Sequence, residues 1–356
     1  MVPNPTVAQV WKRWEARFMG AGVDYNVLLR FKAQISDWSE WCKVWSAEAA
    51  DREAFGDEAM ALGHTLTAAE AWSAAAVMYH FGGMYYICDM EQFQEAHQRK
   101  LAAYKKALPF LQPAGERIEV PFDGMLLAGY LRRPTGATRP PVVIIYNGFE
   151  GVKEESERRT GELLARGLAT LTWDGPGRGE SWQRLPMTGN YGPTTMALID
   201  YLETRSDVDA SRIGATGPNR GAFLAAKSAA YDPRIKALAA TSAGYDRRGT
   251  DWDDPYQLVF DMHIFHLDSL DALRERVNQM DLSLEGDASK ITCPVLVIAG
   301  GRDEKSHFSG SQRFFSEVCG PKEWVVFPDG ERNGNNVPFK VRPRTADFLA
   351  DCLLPR

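Results

Sequence analysis

The sequence is short of every feature that would mark a specialised class of protein. Its 356 residues contain 5 cysteines (Cys42, Cys88, Cys293, Cys319 and Cys352), and no two of them form a CxxC pair. An odd, scattered set excludes a disulfide framework and a cysteine-based zinc site. Positive charge is not in excess: 41 Lys and Arg against 47 Asp and Glu give a net charge of -6. Without a cationic surplus to neutralise phosphates, nucleic acid is not an expected partner. No uninterrupted apolar run approaches the ~18 residues that read as a membrane span. The first residues show neither an apolar signal core nor a small-residue cleavage site. Glycine (31) and proline (20) are close to average, which excludes collagen-like and low-complexity chains. The expectation is a soluble, reduced, cytoplasmic protein with no membrane partner.

What is present changes character near residue 113. Before it the signals are helical. Trp38, Trp41 and Trp45 recur at helical spacing, and Thr67 with Glu70 reads as a capping box opening an apolar stretch. Residues 91–111 read as an amphipathic helix closed by Pro113. Six of the ten tryptophans lie in this part, more than solvated helices need, so these helices are expected to cover another domain or a ligand cavity. After residue 113 the period switches. Segments 117–122 and 125–132 flank Asp123-Gly124, a strong hairpin signal. Apolar strands are predicted at 142–146, 169–173, 212–216, 235–241, 294–299 and 323–327. Helices are predicted at 154–167, 193–204, 221–231, 309–318 and 343–353. Buried strands alternating with helices predict a mainly parallel α/β sheet. The long interruption between the last strand pairs, about 245–290, is helical and carries Trp252, His263 and His266, as an inserted lid would.

Four stretches fall at strand ends: Tyr146-Asn-Gly-Phe-Glu-Gly151, Asp174-Gly-Pro-Gly-Arg-Gly-Glu-Ser181, Gly217-Pro-Asn-Arg-Gly221 and Gly300-Gly-Arg-Asp303. In this order they lay out an α/β-hydrolase fold. The third is its nucleophile elbow, G-x-S-x-G, a sharp turn that exposes the central side chain above the sheet. Here the central residue is Asn219, and an amide is no nucleophile at neutral pH. The acid position is kept as Asp303. The histidine is expected after the 323–327 strand, but 327–336 contains none, and Arg332 or Asn335 takes its place. The Gly175–Gly179 run lacks the Lys-Ser/Thr of a phosphate loop, so no nucleotide is expected there.

The helical N-terminal region, the N-G-F-E-G-x-K-E-E stretch and the D-G-P-G-x-G-E stretch resemble one group of α/β hydrolases. It contains 2,6-dihydropseudooxynicotine hydrolase, the fungal polyketide-shortening hydrolases and, more distantly, the fermentation-respiration switch (FrsA) proteins. The resemblance covers nearly the whole chain. It implies carbon–carbon cleavage of ketone or β-diketone substrates by a Ser-His-Asp triad, and a homodimer. By position the family's serine falls on Asn219, its aspartate on Asp303, its histidine on Arg332 or close by, and its acidic residue near the oxyanion hole on Glu150. The departures at Asn219 and Arg332 bear on the mechanism, not on the fold.

The sequence therefore predicts an α/β-hydrolase fold, with an N-terminal helical cap (1–113), a core (114–356) and a helical lid within it. The site is expected at the carboxyl ends of the strands, between cap and sheet. Backbone N–H groups of Phe149 and Arg220 form the expected oxyanion hole. Asn219, Asp303, Glu150 and Arg332 are the candidate catalytic residues, with Asp303 and Arg332 expected to pair. His307, four residues after Asp303, is a second candidate base. His80, Tyr85, Trp252, His263 and His266 are candidate substrate contacts. No metal or cofactor is expected: the two lid histidines find no further ligands in the sequence. Such a donor set serves enolisation, elimination, decarboxylation, retro-Claisen cleavage or cyclisation of an apolar or aromatic small molecule. Two alternatives stay open: a catalytically silent binder of a small ligand, and a hydrolase of the family type using another serine such as Ser181 or Ser242.

Overall fold

The protein is described from a computed structural model, covering residues 5–83, 89–246, 252 and 254–355. Its contacts divide it into two compact units, 1–117 with 154–158, and 118–153 with 159–356.

The first unit is helical because its caps and apolar stripes leave little else available. Helix α1 (Val7–Gly20) starts at Thr6, whose Oγ1 accepts the Gln9 N–H while the Gln9 side chain accepts the Thr6 N–H. Asp24 caps α2 (Tyr25–Gln34), and Asp37 with Glu40 makes a second capping box on α3 (Trp38–Ala61). The capping box expected at Thr67 is not one. Helix α4 (Thr65–Gly83) starts two residues earlier, so Thr67 lies within its first turn. Asp89 caps α5 (Met90–Ala107). The tryptophan load also has a different use from the one expected. Trp41 and Trp45 are fully buried and cluster with Trp11, Phe18 and Phe81 inside this unit, at ring separations of 4.7–6.3 Å. Trp41 Nε1 donates to the Phe81 carbonyl at 3.0 Å. These rings are the helices' own core.

The second unit is built on an eight-stranded sheet. Its strands are β1 (Gly115–Phe122), β2 (Met125–Arg132), β3 (Pro141–Ile145), β4 (Ala169–Trp173), β5 (Asp209–Pro218), β6 (Ile235–Thr241), β7 (Val295–Gly300) and β8 (Lys322–Phe327), in the order β1-β2-β4-β3-β5-β6-β7-β8. β2 and β4 are antiparallel, and the pairs from β4 through β8 are parallel. The hairpin turn between β1 and β2 has positive φ at both Asp123 (45°) and Gly124 (72°), as a tight two-residue turn requires. The crossovers carry α6 (Glu157–Leu164), α7 (Gly192–Glu203), α8 (Arg220–Tyr231), α9 (Pro255–Ile264), α10 (Leu270–Val277) and α11 (Lys305–Glu317), and α12 (Pro338–Leu353) ends the chain. Helix α12 begins five residues before its expected start, with Pro338 in its first turn and Pro343 inside.

Strands β3, β6 and β7 contribute Val143, Ile145, Ala237, Ala239, Leu296 and Ile298 to one core, packed with Leu163, Leu168, Val341, Leu349 and Leu353. All of these strand residues are almost completely buried, so the strands read as continuous apolar runs rather than as alternating ones. Between β6 and β7 the chain makes the long excursion that carries α9 and α10. Its base is closed by the Leu284 N–H on the Tyr245 carbonyl (2.9 Å) and by a bridge between Asp246 and Ser283.

Candidate functional site

Strand β5 ends at Pro218 and α8 begins at Arg220, leaving Asn219 alone to reverse the chain. It does so at φ 48°, ψ -110°, a conformation that side chains rarely adopt. The flanking glycines make the turn possible. A Cβ at Gly217 would stand 2.4 Å from the Tyr146 carbonyl oxygen, and one at Gly221 would stand 2.2 Å from it. Asn219 is pinned by its backbone: its N–H donates to the Thr241 carbonyl (2.7 Å), and its carbonyl accepts the Phe223 N–H (3.0 Å). Its side chain is buried, yet Nδ2 has no hydrogen-bond partner among the described residues.

Beside the elbow runs the loop that follows β3. The backbone N–H groups of Phe149 and Arg220 have no partner among the described residues, and Arg220 N–H lies in the first turn of α8, where helix amides are unpaired and the dipole is positive. The Arg220 guanidinium covers the Phe149 ring at 4.5 Å and donates to Asp261 at 3.3 Å. Glu150 is 3.9 Å from the same guanidinium, and Gln257 Nε2 donates to Asp261 at 3.0 Å. Asp261 and Gln257, one turn apart on α9, join this set although the sequence reading passed over them. Their signal was a polar pair at i, i+4 on a largely apolar helix.

Asp303 follows β7, with its side chain almost fully buried. Oδ1 accepts the Glu304 N–H at 2.8 Å, and Oδ2 has no hydrogen-bond partner among the described residues. The expected Asp303–Arg332 pair does not form. Arg332 turns to Glu304 (3.3 Å) and to His307 Nε2 (3.4 Å). The reason is local: 332–334 is a 3-10 turn in which Asn333 has φ 61°, and this rotates successive side chains to different sides. The neighbour of the elbow is therefore Asn333, which the sequence reading missed. Its N–H donates to Ser242 Oγ at 3.3 Å, and Ser242 directly follows the Thr241 that holds Asn219. The Asn333-Gly334 dipeptide, a turn signal, was the clue. His307 Nδ1 lies 3.8 Å from Asp303 Oδ1 and 3.3 Å from Glu304 Oε2, in neither case with hydrogen-bond geometry.

Asn219 Nδ2, Asp303 Oδ2, His307 Nδ1 and Asn333 Oδ1 are thus buried polar atoms without hydrogen bonds among the described residues, all on segments that leave the carboxyl ends of β5, β7 and β8. Buried polar groups are normally satisfied, so each such exception calls for an explanation, and a bound ligand would supply one at these strand ends. Asn219, Ser242 (φ 49°) and Asn333 also share positive φ, and such strain gathers at functional sites.

The remaining candidates are placed as follows. His263, on α9, stacks on Trp182 at 4.3 Å with the rings 9° from parallel, and His266 meets the edge of the same indole at 5.5 Å. Trp252 is half-buried under the Arg274 guanidinium, 5.1 Å from its ring. His80 lies in the helical unit, buried, with Nε2 3.2 Å from Glu155 Oε2. Burial works against charge on Glu155, but the Arg17 guanidinium at 2.7 Å outweighs it and holds that carboxyl well below the ordinary range. Tyr85 lies outside the described residues.

Burial, helped by His266, depresses the His263 pKa to about 3. Neutral His263 therefore stabilises the fold fully above its unfolded value near 6.5, and this contribution is lost as pH falls towards 3. Each pH unit in that window removes at most about 1.4 kcal/mol. The Tm of the wild type is expected to fall more steeply between pH 6.5 and 4 than that of His263→Phe; parallel curves would remove His263 from this role.

The amino-acid sequence matches the family described as "Esterase FrsA-like" over residues 25–295. It is 31% identical over 333 residues to 2,6-dihydropseudooxynicotine hydrolase of Paenarthrobacter nicotinovorans, covering 94% of this chain and 90% of that protein. It is 30% identical over 235 residues to the hydrolyase PoxO of Penicillium oxalicum, covering 61% of this chain and only 54% of PoxO. The crystal structure of the 2,6-dihydroxy-pseudo-oxynicotine hydrolase has the same fold, with a TM-score of 0.86, 29% identity and 95% of each chain covered.

Proposed function

The chain belongs to the FrsA-like esterase family of α/β hydrolases, and on that premise we propose that it is an enzyme working without an acyl-serine intermediate. Its substrate is a ketone-rich, polyketide-like or aromatic small molecule, and its reaction is that of a lyase, a cyclase or an unusual C–C hydrolase. The observation that carries this reading is Asn219: an amide, strained and unpartnered, stands where the family's nucleophile would stand. It adds a third donor to the Phe149 and Arg220 N–H groups around a substrate carbonyl. Three such donors stabilise an enolate or alkoxide as negative charge develops on the oxygen. Asp303, His307 and Glu150 are the groups able to move the proton. Arg332 steadies His307 from its Nε2 side. The rings of Phe149 and Phe265, 6.1 Å apart, and the Trp182–His263 stack favour a flat, apolar ligand. Among the described residues no helix is long and apolar enough to cross a membrane.

A serine-directed fluorophosphonate tests the reading. Intact-mass analysis is expected to show no adduct on the wild type, and treated protein is expected to convert its substrate at the untreated rate. Stoichiometric labelling with loss of conversion would return the chain to the serine hydrolases.

A further inference from the structure

The glycine-rich turn after β4 carries a buried cation for which the site described so far has no use. Arg178 is 3% exposed. Its Nη1 donates to the carbonyl oxygens of both Asn147 and Gly148, the latter at 3.0 Å, and its Nη2 donates to the Tyr191 hydroxyl at 2.9 Å. The Tyr191 ring lies 5.5 Å from the guanidinium, and its hydroxyl donates on to the Pro176 carbonyl at 2.9 Å. All of these acceptors are neutral, and among the described residues Arg178 has no carboxylate within ion-pair distance. A buried guanidinium held by neutral acceptors is an expensive way to secure a loop.

From this geometry we infer that Arg178 is the positioning residue for the oxyanion donor at Phe149. In a trans peptide the C=O and the following N–H point in opposite directions. Drawing the Gly148 carbonyl towards Arg178 therefore turns the Phe149 N–H away from it, and drawing the Asn147 carbonyl does the same to the Gly148 N–H. Control is needed here because residue 148 is glycine, whose flanking peptide planes turn with little steric resistance. The Gly151 N–H also reaches the Gly148 carbonyl (3.1 Å), but that bond lies within the loop and moves with it. Arg178 ties the loop to the sheet side. The same turn holds the loop's far end: Asp174 accepts the Lys153 N–H at 3.0 Å and the Lys153 ammonium at 2.6 Å. One turn thus fixes both ends of 147–153.

The inference rests on the reading of the Phe149 N–H as a carbonyl donor, but its test does not use the native reaction. Asn219→Cys places a thiol at the N-terminus of α8, where the dipole favours the thiolate. With p-nitrophenyl acetate the thiolate adds to the ester carbonyl and the carbonyl oxygen becomes anionic. Collapse expels p-nitrophenolate and leaves an S-acetyl thioester. With iodoacetamide the same thiolate displaces iodide, and no oxyanion forms. Both reactions are followed on the peptide carrying position 219, because the exposed Cys319 and Cys352 also react; there the first rate reads the donors and the second reads the thiolate and its access.

Adding Arg178→Met to Asn219→Cys is expected to slow acylation about 10–100-fold, below the full loss of an oxyanion donor. Alkylation should stay within about twofold, because no oxyanion develops when iodide is displaced. Arg178→Lys should fall between, since one ammonium reaches one carbonyl but does not hold both planes. If Arg178→Met does not fold, the same ratio is read on Arg178→Lys. Equal slowing of both reactions, or no slowing of acylation, overturns the inference. A selective fall in acylation in a protein that turns over no metabolite would leave Arg178 in its role while removing the proposed function.

Discussion

Replacing Asn219 with alanine is expected to lower turnover about 10²–10³-fold, the usual cost of one oxyanion-type donor, with the fold intact. A serine or histidine lost from a working triad costs far more, about 10⁶-fold, so the size of the loss separates a donor from a nucleophile. Asn219→Gly sharpens the test. Glycine accepts φ 48°, ψ -110° without the strain a side chain meets there. Its removal is worth about 1 kcal/mol, which raises the Tm of a chain of this size by about 2 °C. A variant that gains stability as it loses turnover marks strain maintained for function. Rates and melting curves on the two variants are sufficient. Wild-type turnover in both would make Asn219 a relic.

The largest loss of stability is expected from Asp174→Ala. Lys153 has no exposed side-chain surface, and its ammonium sits 2.6 Å from Asp174 and 2.6 Å from Glu180, over the Tyr130 ring. Removing one partner of a buried ion pair costs about 3–5 kcal/mol. Glu180 remains in reach of the ammonium, so about 3 kcal/mol is expected, at the lower end of that range. The Lys153 N–H loses its acceptor as well. The double change Lys153→Met with Asp174→Leu removes both charges and should recover part of the loss, because matched apolar residues often replace buried pairs without penalty. Urea midpoints on the three proteins measure this. A single variant as stable as the wild type would show that water enters the site and solvates the ammonium.

The central parallel strands were legible because their buried parts are short, apolar on both faces and bounded by turn residues; 142–146 and 169–173 needed nothing more. The hairpin followed from Asp123-Gly124, and the elbow from the spacing of Gly217 and Gly221, which the close approach to Tyr146 explains. What was not legible depended on rotation or on partners distant in sequence. Arg332 and Asn333 differ by one position, and only the φ of 61° at Asn333 decides which of them meets Ser242 and which meets His307. The tryptophans of the helical unit read as a covering surface because their number was visible and their mutual stacking was not. Asp261 was passed over because its partner, Arg220, lies 41 residues upstream. Arg178 was one residue inside a glycine run, and nothing in its neighbours announced two carbonyls thirty residues upstream.

Chemistry at Asn219 without a covalent intermediate, as proposed for this family member, can be tested in one experiment. The most direct test incubates a small-molecule extract of the source organism with wild-type protein and with Asn219→Ala, followed by untargeted mass spectrometry of both the solution and the intact protein. One component is expected to fall as a product rises with the wild type, the conversion is expected to slow about 10²–10³-fold with the substitution, and no mass is expected to be added to the protein. The mass change names the reaction: gain of water for C–C hydrolysis, loss of water or carbon dioxide for elimination or decarboxylation, none for cyclisation. A compound that stays bound through desalting and never changes mass would contradict it and make the chain a binding protein.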